Sequence, residues 1–310
     1  MDFSEINLPI LIASLIVTST PLILAALGEL IVEKSGVLNL GVEGMMIIGA
    51  VSGFVIGVET NSALLGIIGS AIGGALLSSL FAFIVLVMKA NQVASGLALT
   101  IFGLGIAALL GHPYTGIAPP KFQSFSIPIL ENIPMLGIMF FRHDFIVYFS
   151  LIASVITWYF LKYSRRGLVL RSIGENHDVA HSLGYRVNVT RFASILFGGA
   201  LAGLGGGYLS LVRVPQWTEG MTAGAGWIAL ALVVFSGWHP FRLLLGAYIF
   251  GGITILQLNL QAIGININIA ILSMAPYLAT ILALVIISVS RFQGNKGAPG
   301  CLGVSFVKVT

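Results

Sequence analysis

Nine stretches of this chain stay apolar for about as long as a helix needs to cross a bilayer, roughly 20 residues. They run Leu8–Leu27, Val37–Val58, Ala63–Met88, Val93–Leu110, Phe145–Leu161, Phe192–Val212, Ala223–Trp238, Leu243–Leu260 and Ile269–Val289. The stretches are continuously apolar and do not alternate over about ten residues, so they read as helices and not as barrel strands. Composition agrees. Charged residues make up 8% of the 310, against about 25% in an ordinary globular domain, and cannot coat a soluble core. The expected fold is an all-α membrane protein, a polytopic helical bundle of about nine transmembrane helices in a single domain, residues 1–310. Met1-Asp-Phe-Ser-Glu5 has no basic n-region, so the first stretch reads as a permanent span.

Charge placement tests that count. The polar loop 162–191 holds Lys162, Arg165, Arg166, Arg171, Arg186 and Arg191. Placing it in the cytoplasm puts the N-terminus outside and the C-terminus inside. Lys34, Lys89, Arg242, Arg291, Lys296 and Lys308 then also fall inside, and only Lys121, Arg142 and Arg213 fall outside. That bias follows the positive-inside rule. The net charge of +4 is therefore topological. No basic stripe with interleaved aromatics points to nucleic acid. The external loop 112–144 carries five prolines and a short apolar piece, Ile133–Phe141, and reads as a cap or re-entrant segment. The tail 291–310 is cytoplasmic and holds the single Cys301.

Within the loop 162–191, Asn176 is a suitable N-cap, His177 and Asp178 open a first turn with a carboxylate at its positive end, and Gly184 is a natural stop. A helix of about two turns is unstable alone in water, so it either docks on something or is a solvated capped turn. Catalytic machinery is missing: the sequence has no Gly-x-x-x-x-Gly-Lys-Ser/Thr, no His-Glu-x-x-His, no Cys-x-x-Cys and no Gly-x-Ser-x-Gly. No catalytic residue is assigned. His177 and His181 are spaced i, i+4, but no third metal ligand accompanies them, and no metal site is assigned.

Polar residues inside the apolar stretches are costly and informative. Glu43 leads, with Asn39 four residues earlier and hence on the same helix face. Two readings are open: a polar face on a translocation path, or hydrogen bonds to a neighbouring helix or to Lys34. Asn91 and Gln92 line an inner gate or cap a helix. Glu29 and Glu33 share a face, with Lys34 to offset their repulsion. Gly199, Gly203 and Gly207, with Gly69 and Gly73, permit close helix approach. Arg213, Gln216, Trp217 and Glu219 fall outside, at the pore mouth, as contacts for a partner or as an interfacial anchor.

Several of these segments together resemble a known family. Glu29–Ala50, Asn91–Thr100, Gly220–Ala231 with Gly237-Trp-His-Pro240, and the loop segment Gly174–Val187 resemble, in order, the blocks of type II-like ABC importer permeases. The branch is the one shared by branched-chain amino acid, ribose-type sugar and nucleoside systems. The wording is most similar to the shorter permease of nucleoside importers that use a basic-membrane-protein-like lipoprotein. The resemblance implies a prokaryotic inner-membrane permease without enzyme activity. It implies ATP-binding subunits that carry ATP and Mg, a second permease chain as heterodimer partner, and an extracytoplasmic substrate-binding lipoprotein. It makes Glu175, Asn176, His177, Asp178 and Gly184 the ATPase-coupling helix, and it makes Asn39, Glu43, Asn91 and Gln92 the candidates for the translocation path. Three positions depart from the family pattern: His177 where Pro is common, His181 where Ala is common, and Ala225 where a basic residue is common. A same-branch sugar or amino acid permease is the alternative. A stand-alone ion-coupled carrier is a further one, for which Glu43 would have to carry the ion.

Overall fold

The computed structural model describes residues 8–122, 124–126, 133, 135–262 and 297–307, with single positions 274, 278, 281, 282 and 285. Among them the chain forms eleven α-helices and one small antiparallel hairpin. The long apolar helices are α1 (Leu8–Lys34), α2 (Val42–Thr60), α3 (Ala63–Ala82), α4 (Gln92–Gly111), α6 (Phe145–Tyr163), α9 (Val187–Tyr208) and α11 (Pro240–Ala262). α3 and α9 continue through π turns at Phe83–Val87 and Leu209–Arg213. These seven are long and apolar enough to cross a membrane. Their ends are chemically marked. The Ser62 hydroxyl accepts from Leu65 N at the start of α3, and Asn91 Oδ1 accepts from Ala94 N, 3.0 Å away, at the start of α4. Asn61, at φ 49°, closes α2 in the left-handed conformation.

Two of the nine sequence stretches are not simple spans, and a third cannot be compared. The stretch Val37–Val58 begins as irregular chain, and helix α2 starts only at Val42. Asn39 therefore lies before the helix and does not share a helical face with Glu43. The stretch Ala223–Trp238 yields only α10 (Ala225–Phe235), whose 11 residues reach about 16 Å, half a hydrocarbon core. A run of turns, Gly220–Gly224, precedes it and takes the place of the missing helix. The ninth stretch, Ile269–Val289, lies almost wholly outside the described residues.

α1, α2, α3 and α9 pack together at the centre. Glycine explains how they come so close. A Cβ at Gly203 would collide with the Ser70 carbonyl and the Gly74 backbone, one at Gly207 with Ser70, and one at Gly73 with Ser52. The glycine stripe on α9 thus meets the small residues of α3 backbone to backbone. The chain order also repeats in reverse direction. A long helix, an irregular connector, a helix starting inside the bundle and a long helix describe both α1-α2-α3 and α9-α10-α11. The contacts match: α1 packs on α11 as α9 packs on α3, α2 packs on α9 as α10 packs on α1, and α2 meets α10. This is the pattern of an inverted-topology repeat, and nothing in the residues themselves made it visible.

The loop after α4 holds a 3-10 turn (His112–Tyr114), strands β1 (Ser124–Ser126) and β2 (Arg142–Asp144), and the one-turn helix α5 (Leu136–Phe140) between them. Phe125 pairs with His143 in the antiparallel register, and α5 packs against α1. At the other, basic end lie α7 (Arg165–Glu175) and α8 (His177–Ser182). α7 was not anticipated. Ser164 Oγ caps it at Gly167 N, and Gly167, Leu170, Ile173 and Gly174 form its buried stripe.

Candidate functional site

Two polar constructions stand out, one inside the bundle and one at its basic end. Inside, the irregular segment 35–41 runs alongside α4. Leu38 N donates to Gln92 Oε1 (2.8 Å), at the first residue of α4, and Leu40 O accepts from Thr100 Oγ1 (3.1 Å). Gln92 and Thr100 lie about 12 Å apart along α4, and the Gln92 side chain covers part of that distance, so the segment enters the bundle beside the first turns of α4 before α2 begins. Asn39 N and Nδ2 donate to the buried Glu29 carboxylate, and Asn39 Oδ1 accepts from Gly41 N at 2.9 Å.

Glu43, in the first turn of α2, is buried and fully engaged. Oε1 accepts from Thr222 Oγ1 (2.5 Å) and Gly224 N (2.9 Å), and Oε2 accepts from Gly226 N (2.6 Å). The carboxylate therefore sits on the N-terminus of α10, where free N–H groups and the helix dipole favour negative charge. Glycine is needed there: a Cβ at Gly226 would lie 2.5 Å from the Glu43 backbone N and Cα. Ala225 stands between the two bonded glycines. Of the two readings open for Glu43, the geometry supplies the hydrogen bonds to a neighbouring helix, and the partner is α10 and not Lys34. Asn91 caps α4, whereas Gln92 holds the irregular segment.

Glu29 and Glu33 are separated by different partners. Glu33 Oε2 accepts from Trp238 Nε1 at 2.5 Å. Lys34 does not bridge them: its Nζ donates to Gly297 O (2.8 Å) and lies 5.8 Å from the centre of the Trp238 ring.

The basic end is organised by a residue outside every motif. Arg191 is fully buried. Its Nε donates to Ser35 O (3.1 Å), Nη1 to Val304 O (3.0 Å) and Nη2 to His177 Nδ1 (3.3 Å). One side chain thus ties the end of α1, the C-terminal segment and α8 to α9. Gly36, at φ +87°, leaves room for it, since a Cβ there would lie 2.7 Å from Nη2. The signal for Arg191 in the sequence is its spacing. Val187, Arg191, Ile195, Gly198 and Ala202 recur at helical intervals and are all buried, but the pattern emerges only once α9 starts at Val187.

α8 forms as its residues suggest. Asn176 Oδ1 accepts from Asp178 N and Val179 N, both at 3.1 Å, and Gly184 ends the turn at φ +87°. Ala180 is buried with Ile173 and Val187, while Phe306 from the C-terminal segment packs edge-on against both His177 and His181. Cys301 N donates to Gly174 O (2.8 Å) and Gly303 N to Gly36 O (3.2 Å), so the segment 297–307 straps α7 and α8 to the bundle. Burial pushes the His177 pKa below the usual imidazole value, the Arg191 guanidinium adds to this, and Asp178 opposes it. The outer face of α8 remains apolar and open: Val179 is 55% exposed and Leu183, just after it, is 71% exposed. Of the external residues, Trp217 is not an interfacial anchor; it is buried against Gly111.

Comparison with known proteins gives a family. The model described as branched-chain amino acid transport system / permease component matches residues 11–290. A putative glucose ABC transporter permease protein of Haloferax volcanii, TsgC13, is 40% identical, covering 86% of this chain and 88% of its own. The nucleoside ABC transporter permease protein NupC of Lactococcus lactis is 34% identical over 97% of this chain and 98% of its own. The guanosine ABC transporter permease protein NupQ of Bacillus subtilis is 35% identical over 99% of each. No solved structure matches.

Proposed function

This chain belongs to the family of branched-chain amino acid transport system permease components and is a multi-pass inner-membrane protein; on that premise we propose that it forms, with a second permease chain, the translocation path of an ATP-driven nucleoside importer. The basic end faces the cytoplasm. ATPase subunits dock there on α8, and a substrate-binding lipoprotein delivers substrate at the opposite end. The observation that carries the reading is α8 itself. A short helix capped by Asn176, pinned from behind by Arg191 and Phe306, presents Val179 and Leu183 outward. That is a rigid apolar foot that another subunit can push. Glu175, Asn176, His177, Asp178 and Gly184 build the foot. Asn39, Glu43 and Gln92 brace the two interrupted segments that border the path, and Asn91 caps α4 at its inner end. ATP-dependent movement of the foot switches the paired permeases between outward and inward access.

The nucleoside assignment rests on the full-length similarity to NupC and NupQ. A simple sugar is the second reading, favoured by the 40% identity to the putative glucose permease. The test is uptake by the reconstituted transporter with labelled guanosine, adenosine, glucose and leucine in competition. Nucleoside uptake that requires ATP and is not competed by glucose supports the proposal. Uptake competed only by glucose moves it to the sugar reading. Uptake by this chain alone without ATP makes it an ion-coupled carrier.

A further inference from the structure

A groove of about 730 Å³ opens between α6, α7 and α9 at the basic end. Its floor is apolar and buried, from Ile31 and Leu170; Phe160 and Phe197 line its walls; Arg165 and Arg166 border it with exposed side chains. Neither arginine has a hydrogen-bond or ion-pair partner among the described residues. Both stand at the positive N-terminus of α7. The depth of the groove is marked by its neighbours. Lys162 Nζ lies 5.1 Å from the Trp158 ring centre and 5.2 Å from that of Tyr163. Tyr159 and Tyr163 point outward. Such an aromatic belt with a basic residue belongs at the level of lipid headgroups. Below it, Ile152, Val155 and Ile156 are exposed and apolar, as a face against acyl chains must be.

We propose that this groove is a binding site for one anionic phospholipid, with its phosphate between Arg165 and Arg166 and an acyl chain along Phe160 and Phe197. A free anion would use the arginines and leave the apolar floor wet. A zwitterionic phospholipid offers the same phosphate, but its own ammonium already compensates that charge and is repelled by the two arginines. An anionic amphiphile satisfies both. The site lies beside α7 and α8, so its occupant would stiffen the loop that the proposed coupling uses, but the lipid assignment itself does not depend on that reading.

The test is native mass spectrometry of the purified transporter complex titrated with palmitoyl-oleoyl phosphatidylglycerol or with the matching phosphatidylcholine. The expected result is tight phosphatidylglycerol binding, weak phosphatidylcholine binding, and a loss of about 30-fold in phosphatidylglycerol affinity in Arg165→Gln/Arg166→Gln, since each arginine contributes about fivefold near an anionic headgroup. Ala193→Trp, which fills the groove from α9, abolishes binding with the arginines intact. The charge-matched control Arg171→Gln/Arg186→Gln retains it. Equal affinity for the two lipids, or unchanged affinity in the arginine pair, overturns the proposal. Displacement of the lipid by millimolar inorganic phosphate assigns the arginines to a free anion and overturns it too. Cross-linking of Ala193→Cys to the second permease makes the groove a subunit interface, with the same consequence.

Discussion

Replacing Glu43 by Gln separates a brace from a substrate contact. The amide keeps the shape of the side chain but turns one acceptor oxygen into a donor. Thr222 Oγ1 can rotate and accept. The glycines cannot. If the amide nitrogen takes the Oε1 place, Gly224 N loses its acceptor; if it takes the Oε2 place, Gly226 N does. One buried N–H left unsatisfied costs about 1–3 kcal/mol, and removing the charge from the start of α10 adds about 1 kcal/mol. The sum, about 3 kcal/mol, is a factor of about 150 in the folded-to-unfolded ratio. For a chain of this size that is a fall in Tm of about 5 °C. The assay is thermal unfolding of the detergent-solubilised transporter, with uptake normalised to folded protein measured in parallel. A lowered Tm with near-normal uptake per folded molecule is expected. An unchanged Tm with uptake lost would place the carboxylate on the substrate path and refute the argument.

Ala180→Pro removes the Ala180 N to Asn176 O bond (3.1 Å) inside α8 and puts a ring where a buried methyl sits; basal ATP hydrolysis by the assembled transporter persists while uptake falls at least about tenfold, and normal coupled uptake would sink the assignment of α8. Arg191→Met keeps the length but leaves Ser35 O, Val304 O and His177 Nδ1 without their donor; amide hydrogen exchange over residues 297–307 accelerates at least about tenfold, and unchanged protection contradicts the role given to Arg191. His177 is disfavoured as a cation by burial and by Arg191. Because its folded pKa lies below the unfolded value near 6.5, its contribution is complete above that pH and is lost as pH falls towards the folded value. Protection factors in α8, corrected for the intrinsic exchange rate at each pH, therefore fall on acidification below about pH 6.5 and do not do so in His177→Asn, which the same measurement at pH 7.5 and 5.5 checks.

The parts of this fold that were legible are those where one residue type at one position does a local job. Asn91, a cap candidate in the sequence, opens α4 one residue ahead of its apolar stretch, and α3 begins with its apolar stretch at Ala63, where Ser62 caps it. Asn176 and Gly184 bound α8 for the same reason. The glycines of α9 and α3 were legible because lipid offers no hydrophobic drive for helix association, and only small side chains let backbones meet. The interruptions were not legible. Val37, Leu38 and Leu40 are as apolar in an extended chain as in a helix, and hydropathy sums cannot tell the two apart. Arg191 was assigned to a loop by its charge, although its burial and three acceptors make it part of the core.

The interruptions also explain why this membrane domain carries the polar residues it does. Unwound backbone among apolar helices must find partners within the protein. Glu29, Gln92 and Thr100 supply them for the segment 35–41, with Asn39 Oδ1 turning back on Gly41 N. Glu43 supplies them for the start of α10. These are adjacent links. His177 on α8 touches Arg191, Arg191 holds Ser35, the segment from Ser35 leads to Glu43, and Glu43 holds α10. On the proposed coupling role of α8, its displacement would meet an irregular, side-chain-braced segment, whose backbone torsions change more easily than those of a continuous helix. On that proposal the two interrupted elements, joined by the Glu43 carboxylate, would shift as a pair, as alternating access through an inverted repeat requires.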